Sequence, residues 1–254
     1  MGFAAVLATS TGSLDVRPFP RARAQRAYAS VASMSSLRVR DTRTYYLDLS
    51  PEEAVAPGHL LFAQEHAGRS VLDFGCAIGA YCLALSRLGF ACTGVDVNSV
   101  YVDRARASGV DAHLVERGGP VPFPDASFDT VLLFEVLEHV PDYGQVLREA
   151  ARVASKNVLV TVPNCAAIEA LKGSGVVFDH MLDQDHVNFF TPETLDAALA
   201  PIFPSHKVEQ REFVDRGLLR RLLPAPIGKP LSALYASGLL GQRFSYRLFA
   251  RATV

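Results

Sequence analysis

Cysteine is scarce in this sequence. There are four residues in 254 (Cys76, Cys82, Cys92 and Cys165), and no two form a CxxC pair. No disulfide framework can be read from that spacing, and three of the four fall in segments that read as core or glycine loop. Reduced thiols in a cytoplasmic protein are the expectation. Long apolar runs are also missing, so no stretch is long enough to span a bilayer. The opening MGFAAVLATSTGS has no basic residues ahead of its short apolar run, which makes it a poor signal peptide. Internal repeats and low-complexity tracts are absent. What remains is 49% hydrophobic residues in 254, enough for one large α/β domain with little room for a second.

The formal net charge of −1 conceals an uneven distribution. Residues 1–50 carry 7 Lys+Arg against 3 Asp+Glu, residues 51–200 carry 9 against 20, and residues 201–254 carry 9 against 3. An acidic middle lies between two basic ends. Solvated faces account for this most simply; the sharper reading is that the ends gather around an anionic substrate or surface.

Residues 1–25, with Pro18, Pro20 and several arginines, read as a flexible leader, and 26–254 as one domain. Residues 26–65 read as a helical extension with a break near Pro51 and Pro57. Then strands and helices alternate. Ser70–Phe74 is a short apolar run stopped by glycine, which suits a buried parallel strand. Ile78–Leu88 has helical spacing. Ala91–Val95 is a second strand, and Val100–Ala107 a second helix with Ser99 as its N-cap. Asp111–Val115, Thr130–Phe134 and Asn157–Val162 complete five strands, with a helix over Tyr143–Val153. After Pro192 come a helix at Glu193–Leu199 and strands at Lys207–Val214 and Tyr246–Val254. Between those strands, Gly217–Gln242 is rich in Leu, Pro and Gly and reads as a helical insertion. Its roles range from plain packing to a substrate lid, a dimer contact or a membrane-facing surface. The alternation predicts a mostly parallel sheet covered on both faces, with ligands bound at the carboxyl ends of its strands.

The strongest local signal is Val71-Leu72-Asp73-Phe74-Gly75-Cys76-Ala77-Ile78-Gly79: a strand, a loop with two glycines, then a helix. Glycines there allow unusual dihedrals and close backbone approach to a ligand. The second strand ends Gly94-Val95-Asp96, and an acidic residue at that place can accept both hydroxyls of a ribose. A nicotinamide dinucleotide would want GxGxxG, and the spacing Gly75-Cys76-Ala77-Ile78-Gly79 fails it. Glu116 follows the third strand, and PFPDASFDTVLLFEVLEHV runs through the fourth.

Over roughly residues 65–200, VLDFGCAIG, GVDVN and PFPDASFDTVLLFEVLEHV together resemble the class I S-adenosylmethionine-dependent methyltransferases, in particular the ubiquinone-O-methyltransferase-like branch. The resemblance implies a doubly wound, mostly parallel seven-stranded sheet of the Rossmann-like kind. It implies that Asp73, Gly75 and Gly79 contact the methionine part of S-adenosylmethionine. Asp96 would bind the ribose diol and Glu116 would lie near the adenine. Cys76, Val97 and Phe134, at the ends of the first, second and fourth strands, join the cofactor-lining set. Ala77 stands where the family often has glycine.

Glu135, Glu138 and His139 are spaced i, i+3, i+4, so a helical turn there would put all three on one face. Two carboxylates and an imidazole suit a divalent metal. His186, in the polar stretch Asp179–Asn188, is available as a fourth ligand. This ExxEH motif with a later DH resembles the metal-dependent ubiquinone O-methyltransferases and the small-RNA 3′-terminal 2′-O-methyltransferases. The resemblance implies Glu135, Glu138, His139 and His186 as ligands. Magnesium is the metal it implies, while the mixed ligand set also suits manganese, cobalt or zinc. Without a metal, His139 or His186 serves as general base with Glu138 beside it.

Such a site favours oxygen acceptors, because an alcohol is a poor nucleophile until its proton is removed. The leading expectation is an O-methyltransferase for a hydroxyl of a sugar, an oligosaccharide or another small diol. Tyr45, Tyr46, Phe189 and Phe190 would offer it a stacking surface. The alternatives are an RNA 2′-O-methyltransferase, a lipid-quinone or catechol O-methyltransferase, and a regulatory protein that binds the cofactor without turnover.

Overall fold

The computed structural model describes residues 7–8, 14–15, 44–166, 183, 185–213, 224–237, 239 and 245–254. Two compact units divide the chain at Arg40 and Asp41. In the first, β1 (Leu7–Ala8) pairs antiparallel with β2 (Leu14–Asp15) inside the stretch expected to be a leader. The first part of the expected helical extension, residues 26–43, lies outside the described residues. Its described part holds a short 3₁₀ turn at Tyr45–Asp48 and α1 (Pro57–His66), which starts with proline at its first turn.

The second unit is built on a seven-stranded sheet. Its strands are β3 (Ser70–Phe74), β4 (Ala91–Asp96), β5 (Asp111–Leu114), β6 (Phe128–Phe134), β7 (Ala154–Pro163), β8 (Ser205–Phe213) and β9 (Ser245–Thr253). The spatial order is β5-β4-β3-β6-β7-β9-β8. β3 to β7 are parallel, while β9 runs antiparallel to both its neighbours, so the sheet is mixed at one edge. Between the strands lie α2 (Ala80–Arg87), α3 (Ser99–Ala107), α4 (Tyr143–Val153), α5 (Pro192–Leu199) and α6 (Ala225–Ala236). α6 lies within the expected insertion, of which residues 217–223, 238 and 240–242 lie outside the described residues.

The apolar runs form the central strands because both faces of the sheet are covered. Val131, Leu132 and Leu133 of β6 are all fully buried, although their side chains alternate between faces. Leu133 joins the cluster under α4 and α5, and Leu132 the one under α1 and α2. Local chemistry ends the helices. The N-cap of α3 is Asn98, not Ser99: its side chain accepts hydrogen bonds from the backbone of Val100 and Tyr101. Asp142 caps α4, and Thr191 with Thr194 forms a capping box on α5.

The chain begins the sheet at β3, moves outward to β5, then returns to lay β6 against the other side of β3. That reversal opens a crevice between the carboxyl ends of β3 and β6. Gly79 shapes its rim. Its φ is +76°, and a Cβ there would lie 2.8 Å from Val110 Cγ2 and 3.0 Å from Ala105 Cβ. Gly79→Ala is therefore expected to cost about 2–4 kcal/mol from backbone strain and overpacking. Urea unfolding checks this, and a loss below about 0.5 kcal/mol would contradict the reading.

Candidate functional site

The loop after β3 is held by its neighbour. Gly75 N and Cys76 N both donate to the Val95 carbonyl of β4, at 2.8 and 3.0 Å. Gly75 has φ +93°, and a Cβ there would meet Val136 Cγ2 at 2.7 Å, so the loops after β3 and β6 touch. Ala77 adopts φ +46°, a left-handed conformation that glycine takes without strain. The Ala77 N–H donates to Asp96 Oδ2 at 2.8 Å, and the Asn98 N–H to Asp96 Oδ1 at 2.8 Å. Asp96 thus sits at the carboxyl end of β4, half-buried, with lone pairs beyond those two bonds. Burial raises its pKa, while the backbone donors pull it down.

Asp73 is 2% exposed, and among the described residues its hydrogen bond comes from Cys82 Sγ at 3.9 Å. Burial, and then the charge of Asp96, push its carboxyl up to about 7. A cationic ligand head group would relieve both effects, which fits the ammonium of a methionine moiety. Cys76 turns its side chain into the cluster with Cys82 and Val102, so its backbone is what lines the loop. Phe134 likewise packs inward, against His59, Phe62 and Tyr81. Val97 and Glu116 are exposed past the ends of β4 and β5.

Over this loop lies the Tyr45–Asp48 turn, which the motif reading gave no part in the cofactor site. Arg104 of α3 donates to the carbonyls of Tyr46, Leu47 and Leu49. Tyr46 and Leu47 pack against Ile78, Ala80 and Tyr101. No motif marks Arg104; only its place in the last turn of a helix, where cations are favourable, hints at a role.

Past β6 the chain does not form the expected helical turn. Glu135 takes φ +54°, and a 3₁₀ turn follows at Leu137–His139. The shared face of Glu135, Glu138 and His139 is therefore lost. What the structure gathers is Glu138, His139 and His186, each offering a ligand atom, all within 4.8 Å of one another. The His139 and His186 ring centroids are 4.6 Å apart. His139 Nδ1 lies 3.3 Å from the Asp185 carbonyl, which can only accept, so Nδ1 donates and Nε2 is left as the basic nitrogen. Asp183 Oδ2 lies 3.7 Å from His186 Nε2.

Glu138 is 1% exposed, and among the described residues its Oε2 has no hydrogen-bond partner. Burial, then the charge of Glu135, raise its pKa well above the usual carboxylate range. A buried carboxyl with an orphaned oxygen is costly, and a cation shared with two imidazoles would satisfy it. On these observations the three residues fit a divalent metal.

Glu135 stands apart from that group. Its Oε2 accepts from Arg247 Nε at 3.1 Å, and Arg247 Nη1 donates to Glu212 Oε2 at 2.6 Å. Its Oε1 lies 3.8 Å from His59 Nε2. Burial pushes the Glu135 carboxyl up, but Arg247 and then His59 outweigh it and hold the pKa below the ordinary value. Arg247 thus holds Glu135 away from the Glu138, His139 and His186 donor atoms that the fold gathers. It comes from the last strand, 112 residues away in sequence, where no motif announces it. Of the four aromatics expected to form a stacking surface, Phe190 is instead core, 3% exposed, while Phe189 is 56% exposed beside the His186 loop.

The chain is similar to known proteins in sequence and in fold. Residues 72–162, from β3 through β7, match the family model described as a methyltransferase domain. The chain is 32% identical over 138 residues to the 27-O-demethylrifamycin SV methyltransferase of Amycolatopsis mediterranei, covering 46% of this chain and 51% of that protein. It is 29% identical over 151 residues to the ubiquinone biosynthesis O-methyltransferase of Caulobacter vibrioides, covering 52% of this chain and 58% of that protein. The matched stretch thus spans little more than half the length of these relatives. In fold, the chain is similar to a SAM-dependent methyltransferase from Archaeoglobus fulgidus, with a TM-score of 0.61 and 16% identity over 83% of this chain and 97% of that one. The strand order, the loop after β3, the acid ending β4 and these matches converge: the chain carries a class I S-adenosylmethionine-dependent methyltransferase domain.

Proposed function

We propose that this chain methylates a hydroxyl oxygen of a small-molecule diol, using S-adenosylmethionine and a divalent cation held by Glu138, His139 and His186. The supporting observation is the convergence of those three donors around an unpartnered, buried Glu138 oxygen at the carboxyl edge of the sheet. When bound, the cofactor supplies a methyl group on a sulfonium, and the cation supplies a charge that acidifies a nearby hydroxyl.

The chain's own residues do the rest. Asp96 receives the ribose of the nucleoside end, while the loop from Gly75 to Gly79 and the Asp73 carboxyl hold the methionine end. His139, oriented through Nδ1 by the Asp185 carbonyl, presents Nε2 either as ligand or as the base that takes the acceptor proton. Holding the acceptor oxygen close to the methyl carbon supplies much of the acceleration, since the reaction is an in-line displacement. The two relatives quoted above are O-methyltransferases by name, which favours oxygen over nitrogen as the acceptor atom.

Within the diols, vicinal sugar hydroxyls are the first reading. The catechol of a lipid quinone precursor is the second, favoured by the likeness to a ubiquinone enzyme and by exposed Ile227, Leu234 and Leu239 in and beside α6. Among the described residues no helix is long and apolar enough to cross a membrane, so that reading needs surface docking. Methylation assays with simple glycosides and with catechol, run beside liposome sedimentation, separate the two. Turnover of neither acceptor class, with amines methylated instead, would overturn the oxygen assignment.

The geometry also predicts an asymmetry between the two glutamates. Glu135→Gln is expected to leave manganese affinity within roughly threefold of the parent, because Glu135 is committed to Arg247. A loss as large as that caused by Glu138→Gln would return Glu135 to the ligand set.

A further inference from the structure

His186 reaches Glu138 and His139 from a loop with no regular secondary structure of its own. What fixes that loop is the residue two places further on. Asn188 Nδ2 donates to the Leu137 carbonyl at 2.8 Å and to the Val140 carbonyl at 2.7 Å. The backbone N–H groups of Val187 and Asn188 both donate to the Glu138 carbonyl, at 2.8 and 3.1 Å. All four hydrogen bonds end on the backbone of the 137–140 turn, which carries Glu138 and His139. Downstream, the Phe190 carbonyl accepts from Cys165 N at 2.8 Å, pinning the loop to the end of β7.

The side chains around Asn188 divide by environment. Val187 and Phe189 are 52% and 56% exposed, while Asn188 between them turns inward. Its amide suits the place chemically. The Leu137 carbonyl, which also accepts from Val140 N at 3.4 Å, has a second lone pair to offer, the Val140 carbonyl lies just past the turn, and one amide nitrogen can donate to both. No other small side chain spans two carbonyls in this way without carrying a charge.

We propose that Asn188 is a positioning residue that latches the His186 loop onto the Glu138–His139 turn and so assembles the three-donor group. It acts through backbone and touches none of the donor atoms. The inference rests on the metal reading above and adds to it a residue that sets how well the donors are preassembled. In Asn188→Asp the shape is kept, but a carboxylate faces two carbonyl oxygens with nothing to donate.

Calorimetric titration of manganese alone into the chelator-treated full chain tests this, with S-adenosylhomocysteine affinity and thermal midpoint measured alongside. Asn188→Asp and Asn188→Ala are expected to weaken manganese binding roughly 10–100-fold, the range for residues that orient ligands from outside the metal's own shell. Their S-adenosylhomocysteine affinity should stay within about twofold, which a general loosening of the fold would not allow. Asn188→Ser, smaller and uncharged with one donor, gives an intermediate loss and serves if the aspartate variant fails to fold. The proposal is overturned if the Asn188 variants bind manganese like the parent while His186→Ala does not. If the parent itself binds no manganese, the metal reading fails and the proposal with it.

Discussion

Glu138→Gln and His186→Ala are each expected to remove measurable metal binding and to lower turnover roughly 10²–10⁴-fold, with S-adenosylhomocysteine affinity nearly unchanged. The two substitutions act on one group from opposite sides. Glu138 comes from the turn after β6 and His186 from the loop before α5, two segments far apart in sequence that the fold brings to one place. The glutamine variant carries a second signature. Glu138 is buried with an orphaned oxygen and a strongly raised pKa, so the metal-free fold gains nothing from its ionisation. Replacing it with a neutral amide should therefore leave the metal-free thermal midpoint unchanged or raised, while abolishing the rise that manganese gives the parent protein. A variant that is simply misfolded would show a lowered midpoint and weakened S-adenosylhomocysteine binding. Full activity of His186→Ala would show that the group is not the working site.

Asp96→Ala is expected to weaken cofactor binding by about 2–4 kcal/mol, roughly 30- to 1,000-fold, with little change in metal affinity. Two losses combine. In the proposed cofactor pose the carboxylate accepts the ribose diol, and hydrogen bonds to a charged acceptor are among the stronger ones. It also holds the N–H groups of Ala77 and Asn98, so its removal loosens the glycine loop and the start of α3 together. Asp96→Asn separates the contributions, since it keeps one acceptor oxygen and should fall between the parent and the alanine variant. Isothermal titration with S-adenosylhomocysteine reads both, and an unchanged affinity in Asp96→Ala would remove this placement of the cofactor.

The alternation of β3 to β7 with their helices was legible from sequence because parallel strands buried on both faces read as unbroken apolar runs. Ser70–Phe74 and Tyr143–Val153 have the bounds that their patterns suggest. The juxtaposition of the glycine loop and Asp96 was legible for a related reason: both are local features, and β3 and β4 lie side by side. The turn after β6 was not. Its i, i+3, i+4 spacing fits a helix, but Glu135 takes a left-handed conformation. Its N–H is bound to the Thr161 carbonyl of β7 and its carboxylate to Arg247 of β9. Both partners are distant in sequence, and tertiary contacts outweigh local periodicity there. Asn188 and Arg104 escaped notice for a different reason. Each works by binding backbone carbonyls, which leave no trace in residue types. Asn98 displaced Ser99 as the cap of α3 because asparagine at that place reaches two N–H groups at once.

The most direct test of the account is a sequential calorimetric titration of the chelator-treated protein, first with S-adenosylhomocysteine and then with manganese into the saturated complex. One binding event is expected for each, with the manganese event absent in His186→Ala and retained in Glu135→Gln. No binding of S-adenosylhomocysteine would contradict the cofactor site, and manganese heat that survives His186→Ala would contradict the three-donor group.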